Sequence, residues 1–269
     1  MTDFPTKLDR RNIGLALGGG AVLGGAHIGV LQALKEKQIR IDYIAGTSIG
    51  ALVSALYAFG VSCDEMRKMA LDLDWLDVSG LSFSKFGILN NEKIGAMVRK
   101  LIGDATFSQA NIPLAINATD IGTGSKVILR SGSVAKAVMA STAVPGVFIP
   151  VEIDGRKLVD GGVLENVPLT ALQNMGAEYM IGVDLNASQK FEEPHNVIDV
   201  LINTVKTGLI SATRLQTIKA DLLMEPDLSA YNLYNPAKIA EIIDKGYEEA
   251  KTFLENSNKA IFARNQKEE

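Results

Sequence analysis

A serine with glycine two residues before it and two after it, in Gly46-Thr47-Ser48-Ile49-Gly50, stands where an apolar run from Ile41 gives way to helical spacing. A strand that turns sharply into a helix at such a serine leaves its hydroxyl exposed on a strained backbone. The flanking glycines remove side chains where strand and helix must nearly touch. The chemistry implied is nucleophilic attack by Ser48 on a carbonyl. A serine hydroxyl needs a base to take its proton and donors to hold the oxyanion that follows, so two further parts must be found.

For the donors, Gly18-Gly19-Gly20 follows the apolar run Ile13 to Leu17 and precedes a helical pattern with Ile28, Leu31 and Leu34. Successive backbone N–H groups in such a loop form a concave anion site, and the helix that starts near Ala26 adds its positive end. A nucleotide-phosphate loop is the competing reading. It is the weaker one, because no Gly-Lys-Ser/Thr follows and no acidic residue closes the next strand, Asp42 standing at that strand's beginning.

For the base, the order Ser48, Asp160, His195 matches the chain order of a histidine-dependent triad. His195, however, lies in the polar stretch Phe191 to Asn196, and His27 falls in the first turn of a helix, where packing or a backbone bond is its ordinary role. Among the aspartates, Asp154 is explained by a hairpin turn, Asp120 by its own turn and Asp184 by the end of a strand. Asp160 ends a strand and is followed by Gly161-Gly162, which would let the chain swing away from the carboxylate. A carboxylate is a weak base, so it must bond Ser48 directly and gain basicity from burial. The residues alone thus offer a Ser48/Asp160 dyad, with a histidine base beside it as the alternative.

The elements that position these residues read as strand, glycine loop, helix, strand, Ser48 turn and a helix ended near Gly60. This succession argues for parallel strands with right-handed crossovers, whose C-terminal loops share one edge. Helices are expected from about Asp64, over Asn91 to Leu101 and from Ser133 to Ala140. Between the first two lies a loop unusually rich in apolar residues: Phe83, Phe86, Ile88 and Leu89. It either folds onto the core or forms a lid that touches lipid. Strands are expected over Ile112 to Ala118, Lys126 to Leu129, and Val147 to Ile153 paired with Lys157 to Val159 across Asp154-Gly155. A helix over Val167 to Met175 and a strand over Tyr179 to Leu185 follow. Helices over Asn196 to Lys219 and Pro236 to Asn256 bracket a short apolar run at Asp221 to Met224. One domain over residues 13–256 is expected, between an N-terminal tail of residues 1–12 and a polar tail of residues 257–269.

Composition narrows the partners. In 269 residues, 47% hydrophobic and 22% charged, the formal charge of -4 gives no net positive field to gather phosphate backbones, so no nucleic-acid partner is expected. A single cysteine, Cys63, excludes an internal disulfide, and two histidines exclude the common zinc-finger spacings. Met1 to Asn12 lacks the apolar segment of a secretory signal, which leads us to expect a cytoplasmic protein. No apolar run reaches the roughly 18 residues a membrane span needs, so any contact with a membrane is expected to be peripheral.

Three ordered blocks resemble the patatin-like phospholipases, including the bacterial members related to neuropathy target esterase. They are Gly18-Gly19-Gly20 with Gly24 and His27-Ile28-Gly29-Val30, Gly46-Thr47-Ser48-Ile49-Gly50-Ala51, and Asp160-Gly161-Gly162. Thr119-Asp120, Ala140 to Phe148 and Asn166-Val167-Pro168 agree with it, so the resemblance runs from about Ile13 to Gly246. It implies a three-layer α/β/α fold with a mostly parallel central sheet, and a serine–aspartate dyad that hydrolyses acyl esters of lipids through an acyl-enzyme. By position, Ser48 matches the family nucleophile, Asp160 its partner, and Gly18, Gly19 and Gly20 its oxyanion loop. The substrate implied is a lipid or small ester, with neither metal nor organic cofactor. Leu23 departs from the pattern, standing where family members usually carry Arg or Lys. That departure motivates a second reading, a weakly active or inactive regulatory or binding protein on the same fold.

Overall fold

The first two apolar runs become neighbouring parallel strands in the computed structural model, which describes residues 12–72, 80–84, 87–189, 193–194, 197–233 and 235–265. Strand β1 (Ile13–Leu17) is buried along its whole length, as a central parallel strand covered on both faces must be. After a 3-10 turn at Ala21–Gly24, helix α1 (Gly25–Glu36) returns the chain to β2 (Tyr43–Thr47), which pairs with β1 in parallel. Helix α2 (Ile49–Ala58) leaves directly from Ser48. Gly60, at φ 84°, adopts the left-handed conformation expected just past that helix.

Helix α3 (Cys63–Asp72) is followed by a hairpin of β3 (Gly80–Ser84) and β4 (Gly87–Asn90), then α4 (Glu92–Ile102). The sequence suggested an apolar loop there, but Phe83, Ile88 and Leu89 stand on paired strands. Their alternation was too short and too interrupted by glycine and serine to be told from a loop. Phe86 and these residues' side chains lie outside the described residues, as does the question of a lid.

The chain continues through β5 (Leu114–Asp120), β6 (Ser125–Leu129), α5 (Val134–Ser141), β7 (Val151–Ile153) and β8 (Arg156–Asp160). Strand β7 starts later than expected because Val147 and Phe148 both donate backbone bonds to the Val144 carbonyl, closing a turn. Asp154 and Gly155, at φ 50° and 74°, form the anticipated tight turn of the hairpin. Helix α6 (Leu169–Met175), β9 (Tyr179–Val183), α7 (Val197–Gln216), β10 (Leu222–Met224) and α8 (Ile239–Asn265) complete the order. The last helix runs past Asn256, where the sequence placed its end.

Strands β10, β9, β1, β2 and β5 are parallel in that spatial order, and β6, β7 and β8 add an antiparallel end. The fold is a three-layer α/β/α sandwich around a mostly parallel sheet. Side-chain alternation builds the layers. Leu15, Leu17, Ile44, Leu114 and Ile116 face one core with residues of α1, α2 and α8, while Ala16, Ala45 and Ala115 face the other, where α6 supplies Leu169 and Leu172. The alanines let α6 lie close to the sheet.

Helices α1 and α8 cross closely at Gly29 and Gly246. A Cβ at Gly246 would stand 2.3 Å from the Ala26 carbonyl oxygen, a backbone atom that cannot rotate aside. We expect Gly246→Ala to destabilise by about 1–3 kcal/mol, read as a Tm lowered by several degrees in a thermal melt. An unchanged Tm would mean that the two helices do not pack this tightly.

Candidate active site

Register along β5 decides where Ser48 and Asp160 meet. Thr47, the last residue of β2, pairs with Asn117, and Asp160, the last residue of β8, pairs with Ala118. Strand β6 pairs with Ile116 through Asp120 and so occupies one edge of β5 beside both. A strand has two edges, so β2 and β8 share the other. One arrives parallel to β5 and the other antiparallel, and their C-terminal ends meet head to head. Two residues far apart in sequence are thus brought together by a strand that carries neither.

Ser48 sits at φ 55° and ψ -126°, a conformation that side chains rarely adopt and that costs about 1–3 kcal/mol. Several contacts hold it there. The Ser48 N–H donates to Ser141 Oγ at 2.9 Å, and that hydroxyl donates to the Asn117 carbonyl at 2.6 Å. Thr47 Oγ1 donates to the Glu165 carbonyl at 3.2 Å, tying the turn to the segment after Asp160. Gly50 lies so near the glycine loop that a Cβ there would stand 2.2 Å from the Leu17 carbonyl oxygen, as the spacing of glycines around Ser48 anticipated. Ser48 itself is half-buried.

The Asp160 carboxylate is 7% exposed, accepts the Gly162 N–H at 2.7 Å and lies beside the Ser48 side chain, which lowers its pKa. Burial pushes its pKa up to about 6, against the downward pull of the neighbouring Ser48 hydroxyl and of the Gly162 N–H. At neutral pH it is therefore ionised and more basic than a free aspartate. The glycines after it act differently from what the sequence suggested. Neither takes a left-handed φ; instead a Cβ at Gly161 would lie 2.5 Å from the Asn117 carbonyl oxygen, so this position is pressed against β5.

Beneath the site, Glu165 is 2% exposed and accepts from Lys126 Nζ at 2.8 Å, Asn117 Nδ2 at 3.0 Å and the Thr170 N–H at 3.0 Å. Burial pushes the Glu165 carboxyl up, but the bonds from Lys126 and Thr170 outweigh it and hold the pKa below its ordinary value. This buried, fully bonded charge fixes β5, β6 and the Asp160 segment to one another.

The glycine loop runs beside Ser48, with a Cβ at Gly19 falling 3.1 Å from Ser48 Cβ. Its three amides are not equivalent, although the sequence treated them as one group. The Gly18 N–H donates to the Val183 carbonyl at 3.1 Å and the Gly19 N–H to Asn166 Oδ1 at 3.0 Å. Gly20 alone of the three has no acceptor among the described residues. The first bonds of α2 run from the Ala51 and Leu52 N–H groups to the Ser48 carbonyl, and the N–H groups of Ile49 and Gly50 ahead of them place the positive end of that helix at Ser48. Leu23, at the position that departs from the resemblance, is fully buried in the core behind the loop.

Of the two histidines, His27 alone falls among the described residues. His27 is fully buried and donates from Nε2 to the Gly18 carbonyl at 2.7 Å, which leaves Nδ1 unprotonated and without a hydrogen-bond partner. Burial lowers its pKa to about 4, against a smaller opposing effect of the Gly18 bond, so the ring is neutral and neither nitrogen holds Ser48. It bonds to backbone, as expected for its place on α1. His195 lies outside the described residues.

Sequence reasoning assigned no role to Ser141, Asn166, Asp184 or Asn186. Asp184 was explained as the end of a strand, yet it is 5% exposed beside the loop. Burial raises its pKa, opposed chiefly by the Asn186 N–H that it accepts at 2.9 Å. A signal existed: a strand that neighbours β1 must deliver its C-terminal loop next to the glycines.

Comparison with known proteins identifies the family and the fold. The family model described as patatin-like phospholipase matches residues 15–172. An uncharacterized NTE family protein of Mycobacterium tuberculosis is 41% identical over 180 residues, covering 66% of this chain and 50% of that protein. The lysophospholipase nte1 of Aspergillus fumigatus is 28% identical over 289 residues, covering 93% of this chain and 18% of that protein. The chain therefore spans half the length, or less, of these curated relatives. Among solved structures, VipD from Legionella pneumophila superposes with a TM-score of 0.60 at 15% identity, covering 91% of this chain and 67% of that one. The type III effector protein ExoU, from Pseudomonas aeruginosa, gives 0.55 at 14% identity, covering 92% and 54%. These two likenesses speak for the fold, and the family match speaks for descent. The chain belongs to the patatin-like phospholipase family.

Proposed function

We propose that this chain is a serine acyl hydrolase that cleaves fatty-acyl esters of lipids through a Ser48/Asp160 dyad and an acyl-enzyme. The observation that carries the reading is the juxtaposition of the strained Ser48 and the buried Asp160 carboxylate at the meeting ends of β2 and β8, at the head of α2 and beside a glycine loop. Family membership and the name lysophospholipase on a relative support a lipid ester as substrate.

Ser48 Oγ attacks the ester carbonyl carbon while its proton passes to Asp160. The carbonyl oxygen becomes an oxyanion, held by the one uncommitted amide of the Gly18-Gly19-Gly20 loop, that of Gly20, and by the head of α2. Collapse of the tetrahedral intermediate breaks the bond to the alcohol, and Asp160 returns the proton to the departing oxygen. The acyl group remains on Ser48. Water then attacks it, giving a proton to Asp160, and the fatty acid leaves as the proton returns to Ser48. Asp160 accepts and returns one proton in each half-reaction, so no histidine is required.

No helix among the described residues is long and apolar enough to cross a membrane. In our reading the chain works in the cytoplasm and meets lipid from the water side. The test is incubation of wild type and Ser48→Ala with a total lipid extract, followed by mass spectrometry. Wild type should consume acyl-ester lipids and release fatty acid, identifying the preferred head group, while Ser48→Ala consumes none. Equal consumption by both proteins, or by neither, would overturn the reading.

A further inference from the structure

Each peptide group of the glycine loop has a recognisable anchor. The Gly18 carbonyl is held by His27 Nε2 at 2.7 Å and the N–H of the same peptide, that of Gly19, by Asn166 Oδ1 at 3.0 Å. In the next peptide the Gly19 carbonyl accepts Asn186 Nδ2 at 2.8 Å, and the N–H of that peptide is the unpartnered one of Gly20. A trans peptide points its N–H opposite to its carbonyl. Asn186 lies just past β9, on one side of β1, and Ser48 lies at the end of β2, on the other. Holding the carbonyl toward β9 therefore turns the Gly20 N–H toward Ser48.

Asn186 is itself held. Its N–H donates to Asp184 Oδ1 at 2.9 Å, and the same oxygen is approached by Asn166 Nδ2 at 3.5 Å. Asp184, 5% exposed, thus joins the two asparagines that grip Gly19 from either end. From this we infer that Asn186, seated on Asp184, is a positioning residue that aims the Gly20 N–H at the oxyanion formed on attack by Ser48. The inference rests on the hydrolase reading above and adds to it the residue that orients the Gly20 donor. A residue with this role acts on the transition state, because the amide it aims meets full negative charge only after attack.

The test compares wild type, Asn186→Ala and Asn186→Asp, the last keeping the shape while replacing the donor by oxygen. Hydrolysis of a p-nitrophenyl ester should show kcat lowered on the order of tenfold in both variants, less than the 10²–10³ lost with a direct donor, and KM nearly unchanged. The inhibition constant of a trifluoromethyl ketone, which Ser48 converts to an oxyanion adduct, should rise by the same factor. Unchanged kcat, or kcat lost together with Tm and KM, would overturn the role. The contact can be read without turnover as well. In ¹⁵N-labelled protein the Gly20 amide resonance, identified by its loss in Gly20→Ala, should move in Asn186→Asp, and an unmoved resonance would contradict the inference. If wild type lacks Ser48-dependent turnover, the hydrolase reading falls and the catalytic role of Asn186 with it, whereas a moved Gly20 resonance would still establish the contact.

Discussion

Replacing Ser48 with alanine should lower turnover of a short-chain p-nitrophenyl ester by roughly 10³-fold or more, since no other group in the site can take over as nucleophile. The expectation is strong because so much local structure serves this one side chain. The chain accepts a backbone conformation that costs about 1–3 kcal/mol at this residue. It holds that conformation through Ser141, Thr47 and the close approach of Gly50 to the Leu17 carbonyl. None of these contacts depends on the Ser48 hydroxyl, so the alanine variant should keep its fold. A melt within a degree or two of wild type, on the scale by which about 1 kcal/mol moves a protein of this size, would separate lost chemistry from lost structure. Residual activity above a few per cent of wild type would mean that the ester is attacked elsewhere.

Asp160→Asn should lower the same activity by roughly 10²- to 10⁴-fold, the range associated with loss of a positioned general base. The pH profile of wild type follows from the buried carboxylate. Activity should be lost as pH falls through about 6, because protonated Asp160 cannot accept the Ser48 proton. Stability runs the other way. The folded pKa of about 6 lies above the ordinary aspartate value of 3.8, so between those values the folded protein binds more protons than the unfolded one. Its stability accordingly falls as pH rises through that window, in total by about 3 kcal/mol for a difference of this size. Asparagine keeps the oxygen that accepts the Gly162 N–H and carries no charge. The variant should therefore be inactive yet melt at least as high as wild type at pH 7. Denaturation scans at pH 4 and pH 7 check this, and a large loss of stability at pH 7 would show that Asp160 is held for the fold. His195→Ala should leave turnover nearly intact, and a full loss there would put a histidine back in the mechanism.

Much of this architecture was legible in the residues because the physics that writes it is local. Short apolar runs interrupted by glycine and followed by helical spacing specified β1, β2 and their crossovers, and Gly46 and Gly50 announced the close contact at Ser48. The pairing of Ser48 with Asp160 was legible as a juxtaposition of strand ends, but the reason for it lay in the register of β5, which no local pattern records. The same holds for Glu165, whose burial depends on Lys126 and Asn117 arriving from two other strands. Close approach to another strand and conformational freedom leave the same letter in the sequence, so the glycine pressed against β5 after Asp160 cannot be told from one that frees the chain. The glycine loop was recognised as a donor group, yet only the partners of Gly18 and Gly19 show that two of its three amides are committed. Asn186 was invisible for a related reason, since its partner is a carbonyl on a loop far away in the chain.

The central claim is that Ser48 is activated for covalent catalysis, and the most direct measurement is to map the residue modified by a fluorophosphonate. Wild type treated with the probe at pH 7.5, digested and sequenced by mass spectrometry should carry a single phosphonyl adduct on Ser48, slowed severely in Asp160→Asn and absent in Ser48→Ala. An unlabelled wild type, or an adduct on any other residue, would contradict the account.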